Sequence, residues 1–151
     1  MLNSGLEGVV VAETGLSAID GEKGELIYAG YDIDDLARNT TFEEVAYLLW
    51  HDRLPTRAEL DELNRQLAAE RAIPDQVMEM LRVFPRDADA MAALRTAVSA
   101  LALYDAEAND NSDEANRRKA IRLTAKMPTI VAAFDRIRNG KSPVAPRTDL
   151  N

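Results

Sequence analysis

Cysteine is absent from the 151 residues, so the chain has neither a disulfide framework nor a thiolate metal site. Histidine occurs once, as His51, which rules out a multi-histidine zinc centre, and no HExxH, CxxC or GxxxxGK(S/T) is present. No apolar run approaches the roughly 20 residues that span a bilayer. The N-terminus lacks the basic start, apolar core and small-residue cleavage site of a secretion signal. A reducing, cytoplasmic setting is therefore expected. Aromatics are scarce at 5%, yet apolar residues reach 46% and charged residues 29%, the balance of a globular chain able to bury a core.

Basic charge is also in short supply at the front. Residues 1–70 hold 15 acids and 5 bases, residues 71–111 hold 7 and 4, and residues 112–151 hold 4 and 9, for a net charge of −8. An acidic front half is a poor nucleic-acid surface, because affinity there comes from phosphate neutralisation. Arg117, Arg118, Lys119, Arg122 and Lys126 are the one candidate anion patch, and a solvated helix face is the expected explanation for them.

Two kinds of patterning are present. Val9 to Val11, Leu16 to Ile19 and Glu25 to Tyr28 are short and rich in strand formers, with Asp20 to Gly24 as turn chemistry. They predict a small antiparallel ribbon of two or three strands. After Gly30 the chain reads as helical. Asp32, Asp34 and Asp35 lack the glycine and the twelfth-position glutamate of an EF-hand, so they read as acids at a helix start. Thr41-x-x-Glu44 and Thr56-x-x-Glu59 have capping-box form. The first box opens a helix with Phe42, Val45, Leu48 and Leu49 on one face, ending near His51. The second opens one from Arg57 to about Arg71, carrying Leu60, Leu63 and Leu67. A shorter helix starts at Ile73 to Asp75 and ends at Pro85, with Val77, Met80, Leu81 and Phe84 as its apolar positions.

Two longer helices follow. Asp87 is the expected cap of a helix from Ala88 to Tyr104, in which Met91, Leu94, Val98 and Leu101 form the stripe and seven alanines lie around it. Such small residues on most sides predict burial. The second runs from about Asp113 to Arg138 on a spine of Leu123, Met127, Ile130, Phe134 and Ile137, is expected to kink at Pro128, and stops at Asn139-Gly140. Asp105 to Ser112 reads as a loop.

Few residues suggest chemistry. His51 sits at a helix C-terminus beside Asp52, a setting that accounts for it structurally. Ser99 has no GxSxG around it and reads as a small packing residue. Gly5, Gly8 and Gly15 are too scattered for a phosphate cradle.

The order of several segments is more specific. Ser17 to Gly21, Gly24 to Tyr31, Phe42 to Leu60, Leu94 to Ser99 and Ala125 to Ala132 together resemble the opening part of a citrate synthase. Ala29 stands where that family often has arginine, and Asp87-Ala88-Asp89-Ala90-Met91 replaces a more usual His-Pro-Met.

The resemblance implies a mainly α, multi-helical large-domain part with a small N-terminal β-hairpin. It divides as a ribbon over 1–31, a helical part over 32–140, and a connector over 141–151 leading to a C-terminal portion beyond Asn151. It implies homodimers that condense acetyl-CoA with oxaloacetate to give citrate and CoA. The two histidines and one aspartate of that mechanism are expected in later segments, so no catalytic, cofactor-binding or metal residue is assigned to this chain, which is expected to be inactive alone. Met91, Leu94, Val98, Leu101, Ile130 and Phe134 are the candidates for the subunit interface. Two alternatives are a 2-methylcitrate synthase using propionyl-CoA and a self-contained helical binding or regulatory module. Neither nucleic acid nor membrane is expected as a partner.

Overall fold

Turn residues shape the opening ribbon as their chemistry requires. β1 (Ser17–Asp20) pairs antiparallel with β2 (Glu25–Tyr28), placing Asp20 opposite Glu25. The Asp20 carboxylate accepts from the Glu22 and Lys23 amides at 3.1 Å each, closing the reversal between them. β2 then pairs with β3 (Tyr31–Asp32) through the two-residue turn Ala29-Gly30. Both turn residues have positive φ, +44° and +87°, the conformation that matches hairpin twist. The third strand is therefore Tyr31–Asp32 and not the Val9 segment: Val9 and Val10 are not strand, and Val11 lies outside the described residues. The computed structural model describes residues 5, 9–10, 12–147 and 149.

Six α-helices follow among the described residues. α1 (Ile33–Asn39) starts on Asp32, whose carboxylate accepts from the Asp34 amide at 2.8 Å. α2 (Phe42–His51) carries the complete box: the Thr41 amide donates to Glu44 at 2.7 Å and the Glu44 amide to the Thr41 hydroxyl at 3.3 Å. α3 (Arg57–Ala69) repeats it with Thr56 and Glu59 at 2.8 and 3.4 Å. α4 (Asp75–Val83), α5 (Ala90–Leu101) and α6 (Asp113–Arg138) complete the set, with a 3-10 turn over Ala102–Tyr104. α5 is shorter than its sequence pattern suggests because Asp89, not Asp87, accepts from the Ala92 amide and sets its start. α6 continues unbroken through Pro128.

The chain divides into two compact units, Met1–Leu63 and Asn64–Asn151, with the boundary inside α3. In the first unit α1 packs on β2 and β3, and Leu36, Tyr47 and Leu48 are buried. Tyr47 is buried, whereas Phe42, expected on the apolar face of α2, is exposed. In the second unit α4, α5 and α6 pack on one another around Val77, Leu81, Ala93, Ala97, Leu101, Ile130, Ala133 and Phe134.

The contact between α5 and α6 follows the expected stripes in part, since Leu101, Ile130 and Phe134 are core and Leu94, Val98 and Ile137 pack against it. Ala93 and Ala97 of α5 and Ala133 of α6 join the core, whereas Met91, Leu123 and Met127 are exposed. Small residues let two helix backbones approach, and these three alanines sit among the larger core side chains. Burial of α5 within this chain is thus limited to one face. Ser99 is exposed, and the hydroxyl that bonds back along the helix is that of Thr96, to the Ala92 carbonyl at 2.9 Å.

Candidate functional site

α5 and α6 together form an apolar feature. Ala90, Met91, Leu94, Ile130, Val131 and Phe134 line a hollow of about 280 Å³, with Asp135 and Arg138 on its rim. Phe84 meets Phe134 edge-on at 6.1 Å, and the Arg138 guanidinium lies 5.6 Å from the Phe134 centroid, fixing that ring from two sides. The six interface candidates divide here. Leu101, Ile130 and Phe134 belong to the core, Leu94 and Val98 are half-buried, and Met91 is 68% exposed. Val83 and Leu103, which sequence periodicity did not single out as exposed, stand about 80% exposed at 79% and 81%.

A polar stripe along α6 does a different job. At 3.6 residues per turn, Arg118, Lys119, Arg122, Lys126, Thr129 and Arg136 fall within roughly 100° of arc. Arg122 bridges Asp105 at 2.9 Å and Glu107 at 2.8 Å, while Arg118 also grips Glu107. Lys119 donates to the Asp110 carbonyl. Lys126 donates to the Glu70 carbonyl at 2.8 Å and meets its carboxylate at 2.9 Å, and Thr129 donates to the Arg71 carbonyl at 2.7 Å. These side chains therefore neither simply face solvent nor offer a free anion patch. They fasten the loop before α6 and the linker before α4.

The electrostatics agree with fastening. Arg118, then Arg122, draws the Glu107 carboxyl down to about 2. Burial pushes Asp105 up, but the Glu107 amide and Arg122 outweigh it and hold it below the usual carboxylate range. Burial also works against the Arg122 charge, and Glu107 and Asp105 more than offset it.

The third cluster joins α2 to α3. Arg53 donates to Glu59 at 2.9 Å and to the Tyr47 hydroxyl at 3.2 Å, while Glu59 also completes the cap of α3. Arg53, followed by the Thr56 amide, holds Glu59 far below its ordinary value. Burial raises the Tyr47 phenol above its own. His51 ends α2 with its ring stacked on Tyr47 at 4.1 Å, the structural setting its neighbours suggested. Among the described residues no group of three or more histidines and carboxylates could hold a metal ion. These clusters supply fastening and an apolar face.

A family model described as "Citrate synthase, C-terminal domain" matches residues 5–151. The chain is 53% identical over 146 residues to "Citrate synthase 2" of Bacillus subtilis, covering 96% of this chain and 39% of that protein. It is 40% identical to "2-methylcitrate synthase" of Mycobacterium tuberculosis, covering 99% of this chain and 37% of the relative. Among solved structures, citrate synthase from Pyrobaculum aerophilum superposes with a TM-score of 0.88 at 39% identity, over 97% of this chain and 39% of that one. The Thermoplasma acidophilum citrate synthase, solved as a ternary complex with carboxymethyl coenzyme A and oxaloacetate, gives 0.87 at 31% identity, over 95% of this chain and 38% of that one. The chain thus spans about 39% of the length of the B. subtilis relative.

Proposed function

The chain belongs to the citrate synthase family, and from that premise we propose that it is the N-terminal framework of a homodimeric, cytoplasmic enzyme that joins acetyl-CoA to oxaloacetate. In that reaction the acetyl methyl carbon loses a proton and attacks the oxaloacetate ketone. Water then cleaves the thioester, giving citrate and free CoA. The enzyme needs a positioned acid and base for the proton steps and cations for the oxaloacetate carboxylates. The fastening arginines and lysine of α6 are already committed to Asp105, Glu107 and Glu70. This favours assigning the chemistry to other segments, so the 151 residues alone are inactive.

The observation that carries the reading is the family match over residues 5–151. The matching family model is that of a C-terminal domain, and the N-terminal placement rests instead on motif order. In this reading residues 1–31 are a ribbon, 32–140 belong to the large domain, and 141–151 connect onward. Met91, Leu94 and Val98 meet a second subunit, with Leu101, Ile130 and Phe134 backing them from within. Support comes from the apolar groups that α5 and α6 leave uncovered, Met91, Leu123, Met127 and Val131. The 40% identity to a 2-methylcitrate synthase supports a second reading, with propionyl-CoA as donor.

Release of CoA decides among these. The 151-residue chain is expected to give only background with either thioester. Protein extended to the length of its relatives is expected to turn over, with kcat/KM for acetyl-CoA and propionyl-CoA choosing the donor. Turnover by the short chain, or none by the longer protein with either thioester, contradicts the proposal. A stop codon directly after Asn151 favours the self-contained module instead.

A further inference from the structure

Arg136 lies 17 positions after Lys119 and fastens a third segment from the same stripe of α6. The helix ends with the Gly140 amide donating to the Ile137 carbonyl at 2.9 Å and the Lys141 amide to the Arg136 carbonyl at 2.8 Å. Gly140 has φ +70°, so this pair of bonds turns the chain off the helix axis. Arg136 Nε then donates to the Ser142 carbonyl at 2.6 Å. Five residues on, Arg71 Nη1 donates to the Arg147 carbonyl at 2.5 Å. Arg71 is itself placed by Thr129, whose hydroxyl donates to its carbonyl, next to Lys126 on Glu70.

Pro143 and Pro146 lie between the two anchors. Neither has an amide hydrogen, and each fixes its own φ. A segment of this kind has acceptors to spare, few donors, and little entropy left to lose on docking. Charged guanidinium donors suit it, and both anchors are guanidinium-to-carbonyl bonds.

We propose that residues 141–147 form a docked strap, held at Ser142 by Arg136 and at Arg147 by Arg71, so that Arg71 sets the path of the chain after α6. Arg71 is a positioning residue in this role. The inference stands on the hydrogen bonds of the second unit and does not depend on the enzymatic reading.

Limited trypsin digestion of the purified protein, read by mass spectrometry, tests it. Initial cleavage after Lys141 and Arg147 is scaled to cleavage after Lys23, whose side chain is 68% exposed in the β1–β2 turn. Arg71→Gln should raise both scaled rates roughly three- to tenfold, the effect of losing one charge-assisted hydrogen bond at the surface. Arg71→Lys keeps a charged donor and should stay within about twofold of the unaltered protein. No change in Arg71→Gln, or equal rises in both variants, overturns the proposal. Should Arg71→Gln fail to fold, the unaltered protein decides: slower cleavage after Lys141 than after Lys23 supports the strap, and equal or faster cleavage refutes it.

Discussion

Ile130 shows how much one residue carries. It is fully buried where α4, α5 and α6 meet, so Ile130→Ala should lower stability by about 2–5 kcal/mol in urea unfolding. Met91 lies on the same side of the helix pair but is 68% exposed, and Met91→Ala should cost less than about 0.5 kcal/mol in the isolated chain. Glu107 makes a pH prediction. Its carboxyl is drawn from 4.5 to about 2, chiefly by Arg118, so its contribution is complete above the ordinary value and is lost as pH falls through the lower one. The melting temperatures of the unaltered protein and Glu107→Gln should therefore differ most above about pH 5 and converge toward about pH 2. A constant difference across that range contradicts the clamp. The acids Asp105 and Glu107 were legible only as loop residues, and the bases of α6 only as a cluster. Their pairing spans 11 to 17 positions of chain, and helical periodicity carries no information at that range.

Elements were more legible, because their signals are local. Both capping boxes, the acids opening α1 and the Asn139-Gly140 stop act through hydrogen bonds only a few residues apart. Thr56→Ala should destabilise by about 0.5–2 kcal/mol, measured by chemical denaturation, since it leaves the Glu59 amide at the start of α3 without its acceptor. Gly140→Ala should cost about 1–2 kcal/mol through its φ of +70° alone, because an added Cβ would meet nothing closer than Arg86 Nη1 at 3.8 Å. Misreadings arose where two local signals competed. Asp87 and Asp89 are both plausible caps, and only the amide each can reach separates them. Valines at 9 and 10 have strand propensity, but Tyr31–Asp32 holds the place beside β2 because a two-residue turn delivers it there.

At the scale of the whole molecule, the mainly helical class with a small antiparallel sheet was readable from pattern alone. The α5 and α6 stripes were readable in part: Leu101, Ile130 and Phe134 are core and Leu94, Val98 and Ile137 pack against it, but pattern counts alanine as filler and large apolar residues as core throughout. Here Ala93, Ala97 and Ala133 share that core, and Met91, Leu123, Met127 and Val131 are left outside. An apolar face of this kind, shared by two adjoining helices, is costly to leave in water. The account holds that another copy covers it. Met91→Asp should then weaken association without unfolding the chain, since a charge on an exposed residue costs little until a partner buries it. Light scattering of the purified 151-residue chain tests this most directly. The account predicts a mass of at least twice 16.7 kDa, falling toward 16.7 kDa in Met91→Asp with the circular dichroism spectrum unchanged. A monodisperse species of 16.7 kDa in both would contradict it.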